Sequence, residues 1–229
     1  KKFYNSIMLR AKLTIAGSNF IFSHINENYN EYLSKEKKLR VIYRGINIDY
    51  YNLKNISILK QEKLKKEWNL SSNKFTILLP GRLTYWKGQE KFIESLNILI
   101  EDYNVNNFQA IILGSDQGRK VYSKKLINLV ERYNLNKKIK FIEHCKEMPL
   151  AYSLSDVVVS TSIEPEAFGR ISVEAQSMGK PIIASNIGGS KETVINKKTG
   201  LLYKYDDPRE LAKCLNAVIQ LSPDELKSM

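Results

Sequence analysis

Four side chains in this chain of 229 residues have the types and spacing to handle a charged, hydroxyl-rich ligand: Arg82 and Lys87, five residues apart, and Glu166 and Glu174, eight apart. An Arg offers a planar fork of donors and a Lys a point charge, and the two together suit a diphosphate. Carboxylates accept hydrogen bonds from sugar hydroxyls, and a vicinal diol presents two donors to one carboxylate. The acidic pair lies in Thr161-Ser162-Ile163-Glu164-Pro165-Glu166-Ala167-Phe168-Gly169-Arg170-Ile171-Ser172-Val173-Glu174-Ala175. Pro165 disfavours helix before it, and Gly169 suits a tight turn into the next helix. Glu166 is therefore expected just before a helix and Glu174 within it. Free backbone N–H groups at such a helix start, with the positive end of its dipole, suit a phosphate. Residues eight apart on a continuous helix are rotated by roughly 80°, so the carboxylates are expected to span a ligand rather than share a face. The plainer alternative is a solvated Glu166 and a Glu174 that only favours the helix dipole. It explains Glu174 poorly, since that residue sits amid Val173, Ala175 and Met178.

The two cations belong to Pro80-Gly81-Arg82-Leu83-Thr84-Tyr85-Trp86-Lys87-Gly88-Gln89, with Gly81 where the chain must turn; a solvated basic loop is the alternative. The loop lacks the GxxxxGK[ST] pattern, and GxGxxG occurs nowhere in the chain, so neither a Walker loop nor a dinucleotide fingerprint is present. A further turn, Gly114-Ser115-Asp116-Gln117-Gly118-Arg119, would let a ligand approach the backbone or would be an ordinary strand-to-helix turn.

These turns need elements to hold them. From residue 74 onward, short apolar and β-branched runs alternate with amphipathic stretches. Strands are expected at Phe75–Leu79, Gln109–Leu113, Ile139–Ile142, Val157–Ser160, Pro181–Ser185 and Leu201–Tyr203, and helices at Gln89–Ile100, Val121–Tyr133, Ile171–Met178 and Pro208–Gln220. That alternation predicts an α/β fold, a Rossmann-like parallel sheet with helices on both faces. The runs Thr76–Leu79 and Asp156–Val159 lack polar alternation, as in strands buried on both sides. In such sheets ligands bind beyond the carboxyl ends of the strands, where the turns above fall. Earlier in the chain, Leu13–Ser18 reads as a strand and turn, Asn19–Leu33 as a helix, Leu39–Tyr43 as a strand and Lys60–Trp68 as a Lys/Glu-rich solvated helix. These pieces are the expected remnant of a preceding domain, its tail and linker over residues 1–50, with the Rossmann-like domain over 51–229. A start without Met and a stop at Met229 inside a helical pattern fit an excised piece of a longer protein, truncated at its C-terminus.

The chain is 43% hydrophobic and 26% charged, with no apolar run of membrane-spanning length. Its net charge of +12 is uneven: residues 1–73 hold 14 Lys and Arg against 6 Asp and Glu, and residues 74–229 hold 22 against 18. The N-terminal excess would suit an anionic membrane surface or a nucleic acid. An A/T-rich genome, which favours Lys, Asn and Ile together, explains it more simply, and no nucleic-acid-binding motif accompanies it. Cys145 and Cys214 have no CxxC or other metal-ligand spacing, which argues against metal or disulfide and for a reducing cytoplasm.

The residues quoted resemble the C-terminal half of the retaining GT-B glycosyltransferases, the group 1 family, and within it a bacterial cell-surface polysaccharide branch. Glu166–Ser185 (EAFGRISVEAQSMGKPIIAS) resembles the family signature, and Gly81-Arg82 with Lys87-Gly88 resembles its donor-phosphate loop. Gly188-Gly189 with Glu192 and Thr199-Gly200-Leu201-Leu202 resemble the elements that follow. Tyr43-Arg44-Gly45-Ile46-Asn47 resembles the interdomain element, with Arg44 replacing the usual Asn and Asn47 the usual Asp.

The resemblance implies a donor site for a nucleoside-diphosphate sugar, with no metal and no other cofactor. Arg82 and Lys87 would hold the diphosphate beside Gly81. Glu174 would accept from the ribose, and Glu166 from the donor sugar. The amides of Phe168, Gly169 and Arg170 would face sugar and phosphate. Arg170 stands where the family more often has an apolar residue, so its side chain would reach the acceptor side or solvent. The implied reaction is sugar transfer to an acceptor hydroxyl with retention; a glycosidase-like nucleophile role for Glu166 ranks lower. The acceptor, a glycan or lipid, would bind through the missing N-terminal domain, in a cytoplasmic protein with peripheral contact to the inner face of the membrane and no nucleic-acid partner. His24 and His144 match no family position and are expected to be structural. The fragment alone is expected to be inactive. A sugar-nucleotide epimerase or a non-catalytic nucleotide-binding domain are the alternatives. A receiver domain is disfavoured, because Asp156 precedes its strand rather than ending one.

Overall fold

The computed structural model describes residues 6–33 and 38–229; residues 1–5 and 34–37, part of the expected tail over 1–50, lie outside the described residues. Six parallel strands form the main sheet: β3 (Phe75–Pro80), β4 (Phe108–Leu113), β5 (Ile139–Ile142), β6 (Val157–Ser160), β7 (Ile182–Ser185) and β8 (Gly200–Tyr203). Their spatial order is β5-β4-β3-β6-β7-β8. Chain order reverses between β3 and β6, which pair through Ile77 with Val157 and Leu78 with Val158. A crevice opens at such a reversal, beyond the carboxyl ends of the two strands.

Because side chains alternate across a strand, each run feeds two cores. Ile77, Leu79, Ala110, Ile112, Val157 and Val159 pack beneath α3 (Gln89–Glu101), α4 (Lys120–Arg132) and α8 (Pro208–Ile219). Leu78, Ile111, Val158, Ile182 and Ala184 pack on the other face against α5 (Met148–Ser153) and α6 (Arg170–Ser177). The unalternating runs are thus strands covered on both sides, as expected, and the α/β class holds.

The first segment forms a separate two-stranded parallel sheet, β1 (Thr14–Ala16) with β2 (Leu39–Val41), connected through α1 (Asn19–Tyr29). The helix expected over Asn19–Leu33 stops at Tyr29, and a 3-10 turn spans Asn30–Tyr32. The Lys/Glu-rich helix α2 (Ile58–Glu67) is largely exposed, as expected, but one side of it is packed. No residue of it is fully buried, yet Gln61 donates to Ser153 O and Oγ at 3.2 and 3.1 Å. Leu64 packs on the second core, and Trp68, just past the helix end, is 4% exposed and anchors the whole element. Two short helices had no periodic signal, α5 and α7 (Ser190–Thr193), while α9 (Pro223–Ser228) falls where the helical pattern before Met229 was expected.

Glu192, on α7, joins the two units. Its carboxylate accepts from the amides of Asn19 at 2.8 Å and Phe20 at 2.7 Å, at the first turn of α1. Those donors have no intrahelical partner and sit at the positive end of the helix dipole. Ser18 Oγ donates to Ala167 O, and the rings of Tyr43 and Phe168 meet at 6.5 Å.

Two outcomes follow from this packing. Glu192→Ala should speed hydrogen exchange at the Asn19 and Phe20 amides while leaving β3 and β4 unchanged; equal protection before and after would remove Glu192 from the joint. Gly88→Ala puts a Cβ 2.0 Å from Thr161 O at a φ of 69°. It should lower unfolding stability by about 2 kcal/mol or more, read as a fall in the urea midpoint, and an unmoved midpoint contradicts that packing.

Candidate functional site

The loops after β3 and β6 meet at the strand-order reversal. The first runs from Gly81, whose N–H donates to Leu113 O at 2.8 Å, through a 3-10 turn at Tyr85–Lys87, to Gly88. The second starts at Thr161, whose hydroxyl donates to Lys87 O at 2.7 Å, and Ile163 N donates to Trp86 O at 2.9 Å. The Thr161 and Ile163 bonds fasten the second loop to the backbone carbonyls of the first.

That fastening brings Lys87 onto Glu166. Lys87 Nζ lies 2.6 Å from Glu166 Oε1, with the two side chains 13% and 12% exposed. Ser162 Oγ donates to the same oxygen, and the ammonium stands 4.5 Å from the centre of the Trp86 ring. Glu166 is thus paired rather than solvated. Gly189 N donates to Glu166 O at 2.8 Å, so the Gly-Gly turn before α7 supports this loop from behind.

Gly169, at φ 81°, caps α6 in the left-handed region, and the helix begins at Arg170, so Glu166 precedes it and Glu174 lies in its second turn, as expected. Phe168 is buried, and the N–H groups of Phe168, Gly169 and Arg170 have no hydrogen-bond partner among the described residues. They are the orphan donors of a helix start.

Glu174 has a different environment. It is 7% exposed, and its Oε2 accepts from the Tyr152 hydroxyl at 2.8 Å. Arg170 Nη2 holds Oε1 at 2.8 Å. The Arg170 side chain, 54% exposed, lies half in solvent and reaches along one helical turn to Glu174, because residues four apart are neighbours on a helix. Burial pushes the Tyr152 hydroxyl well above its ordinary pKa, and the Glu174 charge adds to the shift. Burial, then Glu174, pushes Tyr51 up to about 12.

Arg82 stands apart. It is exposed, and its side chain makes no hydrogen bond or ion pair among the described residues, while its carbonyl accepts from Gln89 Nε2 at 2.8 Å. The expected residues thus fall into one cation–carboxylate pair at each of two levels, Lys87 with Glu166 and Arg170 with Glu174, flanked by a free guanidinium on the loop that opens at Gly81.

Other candidates resolve plainly. Asp116 orders its own turn, accepting from Gly118 N at 2.8 Å and Ser123 Oγ at 2.9 Å. His24 and His144 are exposed, His24 resting on Phe20 and Asn28. Both cysteines are free thiols whose pKa burial raises, which disfavours the reactive thiolate. No helix among the described residues is long and apolar enough to cross a membrane. Sequence reasoning missed Tyr152, Tyr51 and Ser162. Their hydroxyls carry no spacing signal, since Tyr152 and Ser162 reach their carboxylates, and Tyr51 its place beside the Tyr152 ring, through the tertiary fold or a loop turn.

Comparison with known proteins agrees with this arrangement. The model of the family "Glycosyl transferases group 1" matches residues 60–229. A crystal structure of a glycosyltransferase from Rickettsia africae superposes with a TM-score of 0.88 at 35% identity, covering 99% of this chain and 58% of that one. The Anabaena protein Alr3699/HepE, crystallised with UDP and glucose, superposes at 0.84 with 27% identity, covering 100% of this chain and 60% of that one. Spore coat protein SA of Bacillus subtilis is 28% identical over 198 residues, which is 82% of this chain and 51% of that protein. The chain spans about half the length of the curated relatives it matches. With its six-stranded parallel sheet and the family match across residues 60–229, the chain belongs to the group 1 glycosyl transferases and has the fold of their GT-B C-terminal domain.

Proposed function

We propose that this chain is the half of a glycosyltransferase that binds a nucleoside-diphosphate sugar and holds it for transfer to an acceptor hydroxyl with retention of configuration. The observation that carries the reading is the buried Lys87–Glu166 pair, set where the strand order reverses and two residues before three unpartnered N–H groups. In this reading Lys87 and Arg82 take the diphosphate and stabilise charge on the departing nucleotide. The N–H groups of Phe168, Gly169 and Arg170 share that charge, with no metal ion and no further cofactor. Glu166, released from Lys87 by the incoming phosphate, accepts from hydroxyls of the donor sugar, a hexose. Glu174 accepts from the ribose diol once Arg170 gives way. The likeness to the Anabaena protein crystallised with UDP and glucose supports a sugar nucleotide as ligand.

The reading takes residues 1–50 as the tail of an acceptor domain with its linker and residues 51–229 as the donor domain. The whole protein would act in the cytoplasm on a cell-surface polysaccharide or lipopolysaccharide acceptor, at the inner face of the membrane where that acceptor is a lipid, and this half would bind the donor without turning it over.

Calorimetric titration of the chain with UDP, GDP and ADP tests the donor site. One nucleotide should bind at millimolar concentration or below, unaffected by a chelator. Arg82→Ala and Glu174→Ala should each weaken it by about tenfold or more, the worth of a hydrogen bond to a charged group. No detectable binding of all three by the folded chain contradicts the donor-site reading, and undiminished affinity in the variants contradicts the residue roles.

A further inference from the structure

We infer that Tyr152, with Tyr51 beside it, is a positioning residue for ribose recognition: its buried hydroxyl pins one oxygen of Glu174, so that the carboxylate meets the ribose diol in a single orientation. The inference rests on the donor-site reading above, in which Glu174 is the ribose acceptor.

The two oxygens of Glu174 are held from opposite sides by unlike groups. Oε2 takes the Tyr152 hydroxyl at 2.8 Å, and Tyr152, on the short helix α5, is 0% exposed. Oε1 takes Arg170, whose side chain is 54% exposed. Tyr51 lies near enough to the same carboxylate for the Glu174 charge to raise its pKa, and its ring meets that of Tyr152 edge-on at 6.0 Å. The Tyr51 backbone is in turn fixed to α6, since Ser177 Oγ donates to Tyr51 O at 2.6 Å. A ligand arriving from solvent thus meets Arg170 first and displaces it, while the Tyr152 bond lies behind the carboxylate, out of reach.

That asymmetry has a use. A free Glu side chain has three rotatable bonds and loses rotamer freedom when it grips a diol. A carboxylate already pinned at one oxygen has lost that freedom before the ligand arrives, and pre-organisation of this kind favours binding. The donors also match the task. A phenol is protonated at neutral pH, and burial beside Glu174 moves both pKa values further up, so the Tyr152 hydroxyl stays a donor to the carboxylate. Space-filling alone does not require this: a Phe ring would fill the same cavity in α5, and the hydroxyl adds only the bond to Glu174.

The test measures discrimination between ribose and its hydroxyl-free form. Full-length chain, Tyr152→Phe and Tyr51→Phe are titrated by calorimetry with UDP and with 2′,3′-dideoxy-UDP, alongside the GDP and ADP pairs. Thermal unfolding of each variant shows that it is folded. The native chain should prefer the ribose form by about tenfold or more. Tyr152→Phe should cut that preference by about threefold to tenfold and leave dideoxy affinity unchanged. Tyr51→Phe, at the less buried edge, should cut it by less, and it keeps the question answerable if Tyr152→Phe fails to fold. Equal losses for both ligands, or an unchanged preference in the folded variants, overturn the positioning role and leave the donor site standing. No binding by the native chain, or no preference for ribose in it, overturns the assignment of Glu174 and the inference with it.

Discussion

Contact between two loops governs this molecule. Strands β3 and β6 are neighbours in space and far apart in sequence, so their carboxyl-terminal loops arrive side by side. Gly88 presses against the Thr161 carbonyl so closely that no side chain fits between them. Thr161 in return donates to Lys87 O. With the backbones locked, Lys87 has one place to put its ammonium, and Glu166 is already there. A charge so nearly removed from water is costly without its partner; breaking such a buried pair by removing one member costs about 3–5 kcal/mol. The pair must therefore stay closed or be opened by a ligand that replaces it, and a diphosphate carrying a hydroxylated sugar satisfies the cation and the carboxylate together.

The same economy repeats one helical turn deeper. Glu174 is neutralised by Arg170 and pinned by Tyr152. Both carboxylates of the signature thus rest in self-made ion pairs, but the pairs differ in accessibility. Lys87 and Glu166 are both largely covered, whereas Arg170 lies half in solvent over a covered Glu174. The half-exposed guanidinium can swing out into solvent, and a ligand hydroxyl that takes its place keeps the covered Glu174 charge partnered. The deeper carboxylate is in this sense the easier one to open, and the fold keeps it oriented from the core side while its outer oxygen changes partners. Glu192 extends the arrangement outward, because it seats the first turn of α1 against the loop that carries Ala167 and Phe168.

Much of this was legible in the residues themselves. The runs Thr76–Leu79 and Asp156–Val159 declared two-sided burial by lacking polar alternation, and the structure covers both faces of them. Pro165 and Gly169 marked the start of α6 correctly, and the apolar neighbours of Glu174 announced its burial. What stayed hidden depends on contacts that no local pattern encodes. Tyr152 sits in the apolar stretch Leu150–Leu154, where an aromatic residue reads as core, and only the packing of α5 on α6 aims its hydroxyl. Helix α2 reads as solvated because its Lys and Glu residues outweigh Leu64 and Trp68, four residues apart, and only the tertiary fold shows that this pair meets the core. Arg170 is the reverse case: its i,i+4 relation to Glu174 is legible in the sequence, and the half-exposed side chain forms that intrahelical pair.

The proposed donor site is formed by the loops after β3 and β6, and its two ion pairs open for the ligand. A crystal structure of the chain with UDP tests this most directly. The diphosphate should lie within hydrogen-bond distance of Arg82, Lys87 and the N–H groups of Phe168–Arg170. The ribose should sit on Glu174, with Arg170 displaced and the Tyr152 bond intact. UDP seated elsewhere, or bound with both ion pairs still closed, would contradict it.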